Sequence, residues 1–202
     1  MDPRDALLHT IPFRSRDKVM SNFPIYTFKS APEASKPGLE ALQSAFGFLP
    51  NIAGAMSTSP VLINSLVGLF GNVHGGSFNE PQIQTVLLTN AVTNGCTWAV
   101  AFHTFLALKN DVAKGDVQAI RDGDLPKDAK LAALSRLAKT LIEKRGCLNA
   151  HDKETFFQEG FSPEHLLEVI AIVAASTITN YTGSVTQPSL ESEFQPHTWS
   201  AY

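Results

Sequence analysis

A chain of 202 residues is long enough for one sizeable domain with a real core. Hydrophobic residues make up 44%, charged residues 17%, and the formal net charge is -3 with both signs scattered, which excludes an electrostatic nucleic-acid footprint. Two cysteines, Cys96 and Cys147, make no disulfide framework and point to a reducing, cytoplasmic setting with free thiols. The first residues lack the apolar run of a signal peptide. The longest unbroken apolar run, Val169 to Ser176, is shorter than a membrane span and reads as a core helix.

Residues 1–36 mix aromatics with prolines and read as an irregular N-terminal arm. Residues 37–185 carry helical signals, and 186–202 form a polar tail with scattered aromatics. In chain order, "PGLEALQSAFG" has helical apolar spacing and stops at Gly47, and "FLPNIAGAMSTSP" reads as an apolar connection. The next helix has Ser59 as N-cap, Pro60 in its first turn and Gly75-Gly76 as terminator. Another starts at Asn79 and ends at Asn94-Gly95, with "CTWAVAFHTFLALKN" following at once. After a short "GDVQAIRDG" segment, "PKDAKLAALSRLAKTLIEKRG" places Asp128 near its start and Lys144 and Arg145 near its end, matching the helix dipole at both ends. "NAHDKETFFQEG" and "SPEHLLEVIAIVAASTITNYTGSV" complete an all-α domain of about seven or eight helices.

Sliding the chain by 84 residues lays "NEPQIQTVLLTNAVTNGCTW" over "PEHLLEVIAIVAASTITNYT". Gln84 then meets Glu168, and Cys96 meets Asn180. This internal echo fits two related helical halves around one core.

Asn94-Gly95 makes a turn, and Cys96 falls in the first turn of the next helix. Exposed amides and the positive end of the dipole favour a thiolate there, so a lowered Cys96 pKa is expected. A residue at 99 lies one turn from His103. Cys96 lies two turns away, about 10 Å along the axis, too far for the imidazole to take its proton directly. The alternative is a buried, inert cysteine beside a hydrogen-bonded core histidine. Elsewhere, His74 at a helix end suits the C-terminal dipole, and Glu80 suits a first turn, though it lies one turn before Gln84. Trp98, Phe102 and Phe105 read as core or subunit contact. No metal-ligand spacing, dinucleotide fingerprint or P-loop is present, so neither a metal nor a cofactor is expected.

"LTNAVTNGCTWAVAFHTFLALK" resembles the signature of the carboxymuconolactone decarboxylase and alkylhydroperoxidase D-like (AhpD-like) superfamily. "FGFLPNIAGAMSTSPVLINSL" looks most like its peroxidase-related branch, and the resemblance extends over residues 36 to 185. Redox members carry a Glu twelve residues before a Cys-x-x-Cys, then a His four residues after the second Cys. Carried over, the first Cys is Cys96 and the His is His103, but the second Cys is Ala99, the Glu is Gln84, and Trp98 fills a position that is His in some members. The second Cys is the thiol coupled to the His in that family, so its loss removes the expected nucleophile. A disulfide cycle needs a dithiol this motif lacks, and Gln84 cannot relay a proton as a carboxylate does.

The resemblance implies a homo-oligomer with candidate site residues Cys96, His103 and Gln84, and three functions. One is a one-cysteine peroxidase, an antioxidant peroxiredoxin-type activity in which Cys96 is oxidised by a peroxide and reduced by an external thiol. The second is a non-redox decarboxylase-type enzyme acting on a small carboxylate or lactone. The third is a non-catalytic member that lost the redox pair. No nucleic acid or membrane partner is implied.

Overall fold

The computed structural model describes residues 23–200; the first 22 residues of the arm lie outside it. Nine α-helices and no strand occur among the described residues: α1 (Lys36–Phe46), α2 (Asn51–Met56), α3 (Pro60–His74), α4 (Glu80–Thr93), α5 (Thr97–Lys109), α6 (Lys114–Arg121), α7 (Ala129–Glu143), α8 (Ala150–Gln158) and α9 (Pro163–Thr186). Short 3-10 turns cover Glu33–Ser35 and Ser192–His197.

The starts and stops follow local chemistry. Ser59 caps α3 through its side chain, and Pro60 occupies the first turn. Asn79 and Gln82 form a reciprocal capping box on α4, and Ser162 with His165 does the same for α9. Asp128 accepts from Leu131 N–H at the start of α7, outside the helix proper. Gly47 ends α1 in the left-handed conformation. The segment read as a connection between α1 and α3 instead contains α2, whose residues 52–56 are all buried. Six residues are too few to show a helical period, so tertiary burial decides this helix.

α4 is the central helix and packs against α5, α6, α7 and α9. Ile83 to Ala91 are buried without a break, which is the pattern of a helix enclosed on all sides. α5 is equally enclosed from Trp98 to Thr104. One apolar cluster joins α1, α2, α3 and α5, and a second joins α4, α7, α8 and α9. α9 spans 24 residues and is long and apolar enough to cross a membrane by length and composition, but half of its most apolar window is buried against the other helices.

The tail is part of this core. Phe194 is fully buried, and its ring meets Phe48, Trp98, Phe102 and Phe105 at centroid distances of 5.2–6.3 Å. Glu191 accepts from Asn51 N–H at 2.6 Å and from the Trp98 indole at 3.0 Å. Arg121 donates to the carbonyls of His197 and Thr198, both at 2.9 Å, and the Trp199 indole donates to the Arg121 carbonyl. Trp98, Phe102 and Phe105 are thus an intramolecular aromatic core closed by the tail.

Candidate functional site

Cys96 is the N-cap of α5, one position before its first turn. Gly95 (φ +65°) makes the turn, and Cys96 N–H donates back to Ala91 O at 3.0 Å, which joins α4 to α5 with almost no loop. The thiol is buried, with 2% of the residue exposed. The expected lowering of its pKa is overturned: burial pushes the thiol up, and this outweighs the lowering by the Ala99 amide, the Ser184 hydroxyl and the Trp98 amide.

The sulfur faces α9. A Cβ on Gly183 would lie 2.8 Å from Cys96 Sγ and 3.4 Å from Ile52 Cδ1, so glycine is what lets α9 pass this close. Gly183→Ala should destabilise the protein by ~1–3 kcal/mol through overpacking. Adding Cys96→Ala should return most of that loss, because it removes the atom that clashes. Urea unfolding of the two single variants and the double variant reads the coupling; strictly additive losses would show that the thiol does not fill this contact.

Cys96 lines a surface depression of about 440 Å³ with Thr97, Gly183, Ser184 and Gln187. His103 lines a small apolar void of about 30 Å³ with Phe46, Phe70, Phe102 and Thr179. Trp98 borders both, and the thiol and the imidazole line different cavities. Ala99 is fully buried, so the position that would have carried the second thiol is filled with core. Cys147 is exposed and free.

The structure does bring His103 and Gln84 together, and it adds two residues. His103 Nδ1 lies 3.1 Å from Gln84 Oε1, Gln84 Nε2 lies 3.4 Å from Glu80 Oε2, and Glu80 Oε1 lies 2.6 Å from His74 Nδ1. The Gln84 amide donates to Glu80 and accepts from His103 Nδ1–H. The reverse orientation would set its oxygen against the Glu80 carboxylate. His103 is 1% exposed, and its pKa is lowered to about 3, first by burial and then by repulsion from His74. It is therefore neutral near pH 7, and Gln84 links it to the Glu80 carboxylate.

His74, Glu80 and Gln84 all line a cavity of about 490 Å³ between α1, α3, α4 and α5. Phe46, Phe48, Phe70 and Phe105 give it apolar walls, and exposed Lys109 places a cation on its rim. The helix-end dipole is only part of what His74 meets, and nothing in the local sequence pattern singles out Lys109. The signal for His74 was present: a His at the end of one helix and a Glu at the start of the next, joined by a short Gly-Gly turn, must lie close together. Among the described residues no group of three or more His, Cys, Asp and Glu can hold a metal ion.

No protein-family model and no curated protein matches this sequence. Solved structures do. A structure described as an alkylhydroperoxidase AhpD core, an uncharacterized peroxidase-related protein from Ralstonia eutropha JMP134, superposes with a TM-score of 0.75 at 16% identity, covering 87% of this chain and 94% of that one. This chain has the AhpD-like fold. The debrominase Bmp8 superposes on it with a TM-score of 0.73 at 17% identity, covering 91% of this chain and 97% of the debrominase. A cysteine-to-alanine variant of that debrominase, in complex with 2,3,4-tribromopyrrole, gives 0.70 at 16% identity, with 91% and 97% covered. At these identities the likeness concerns the fold, and the AhpD-like scaffold of this chain carries its own set of side chains.

Proposed function

We propose that this AhpD-like protein is an acid–base enzyme of the non-redox, decarboxylase type, acting on a small carboxylate or lactone in the α1–α3–α4–α5 cavity. The observation that carries this reading is the His74–Glu80 pair on the cavity wall, held from behind by Gln84 and His103. Glu80 accepts the Nδ1 proton of His74, which leaves Nε2 to take or give a proton. Lys109 supplies the cation a carboxylate needs, and the phenylalanines accept an apolar body. Loss of carbon dioxide breaks a C–C bond and leaves its electron pair on the conjugated substrate. Protonated His74 can then deliver the proton that completes the product. A fold neighbour bound to a small ring compound is in keeping with a compact organic ligand.

A one-cysteine peroxidase at Cys96 has less support. Its thiol is buried, its pKa is raised, and it lines a different cavity from His103. Turnover of small carboxylated lactones, followed by absorbance and released carbon dioxide, tests the two readings together. Cys96→Ser should stay near the wild-type rate, whereas His74→Gln and Glu80→Gln should each lose about 100-fold or more. Thiol-dependent peroxide consumption abolished by Cys96→Ser, with a sulfenate trapped by dimedone, would replace this reading with the peroxidase. A folded protein inert toward both substrates is what a non-catalytic member gives.

A further inference from the structure

His74 is the last residue of α3 and Glu80 the first of α4, so the loop between them sets their distance. A carboxylate from a third helix grips that loop. Glu168 on α9 accepts from Ser77 N–H at 2.9 Å through Oε2 and from the Ser77 hydroxyl at 2.6 Å through Oε1. The approach is close enough that a Cβ on Gly76 would lie 2.8 Å from Glu168 Oε2. Both oxygens are committed to one residue, a two-point contact that fixes orientation as well as distance. In the 84-residue register, Glu168 is the counterpart of Gln84. The two residues reach the same hairpin from different helices: Gln84 holds the Glu80 side chain, and Glu168 holds the backbone that carries it.

We infer that Glu168 is a positioning residue for the His74–Glu80 pair, holding the α3–α4 loop so that Glu80 Oε1 stays on His74 Nδ1 and Nε2 is kept free for the cavity. The inference rests on the acid–base reading for its catalytic meaning, but its test does not. Without the grip, the loop has Asn79 and its capping box on one side and the Gly75-Gly76 pair on the other, and the glycines are where it would swing. His74 would then sample positions away from Glu80, and its proton would distribute between the two ring nitrogens.

The test is long-range proton–nitrogen NMR of the His74 ring in the full chain, comparing wild type, Glu168→Ala, Glu168→Gln and Gly76→Ala. Wild type should show one tautomer with Nδ1 protonated. Glu168→Ala removes hydrogen bonds to a charged group and should raise the minor tautomer about tenfold or more. Glu168→Gln keeps an acceptor for Ser77 N–H and should stay closer to wild type. Gly76→Ala pushes the carboxylate away without altering it and should resemble Glu168→Ala. It also serves if the latter fails to fold. Where turnover is measurable, kcat should fall more than KM changes. An unchanged His74 tautomer in a folded Glu168→Ala or Gly76→Ala protein overturns the inference and leaves the acid–base reading standing. A changed tautomer in a protein with no turnover does the reverse.

Discussion

Between pH 6.5 and pH 5 the folded protein should lose roughly 1.6 kcal/mol of stability from His103 alone, the slope approaching about 1.4 kcal/mol per pH unit at the lower end. The imidazole is enclosed on α5, and its pKa is lowered to about 3, by burial and then by repulsion from His74. In the unfolded chain it titrates near 6.5. Above that value both states are neutral and His103 contributes no pH dependence. As the pH falls below it, the unfolded state takes up a proton that the folded state refuses, so folding weakens until the folded value is reached. The groups facing His103 include Gln84, which does not titrate, and the His74–Glu80 pair beyond it. His197, whose pKa burial also lowers, adds its own slope, so the measurement is a difference. His103→Asn keeps a donor where Nδ1 stands and removes the titration. Urea unfolding at half-unit pH steps should show the wild-type slope and a flatter one for the variant, whatever constant stability the smaller side chain loses. Parallel slopes would mean that His103 is protonated in the folded state, and the neutral Gln84–His103 arrangement would fall with it.

The second large effect lies in the tail. Phe194→Ala should cost ~3–5 kcal/mol, the range for emptying a fully enclosed aromatic site. Four aromatic rings surround Phe194, and the tail is tied down on both sides of it, by Glu191 to Asn51 and Trp98 and by Arg121 to the carbonyls of 197 and 198. These ties hinder collapse of the vacated site. The denaturation midpoint should fall with little change in slope, and amide exchange should rise across 188–199 and at the α5 start together, because Glu191 links them. A loss under about 1 kcal/mol would show that the tail lies on the core without completing it.

That the tail matters was not visible in its residues. It is polar, interrupted by Pro188 and Pro196, and has no periodicity. Burial of one phenylalanine depends on where the chain returns, which local pattern does not encode. α2 was missed for the same reason. The helices that were legible have either capping side chains or a long apolar period: Ser59, Asn79 and Ser162 announce α3, α4 and α9 before any tertiary contact exists. The Asn-Gly break before Cys96 was legible too, because a left-handed glycine between two helical runs is a local requirement.

The site divides along the same line. The sequence by itself determined the all-helical class, the candidate positions Gln84 and His103 through a family-like spacing, and the absence of a second motif thiol at Ala99; that Gln84 and His103 touch was decided by the fold. Only the tertiary structure decided what the remaining thiol is. The dipole that favours a thiolate at a helix start is a local effect, and the sequence shows only that effect. Burial against Gly183 is a non-local one, and desolvation of a charge outweighs a half-charge from the helix end. The tertiary structure also decided the cavity lined by His74, Glu80 and Lys109, residues up to 35 positions apart in the chain that share it because α3, α4 and α5 form its walls.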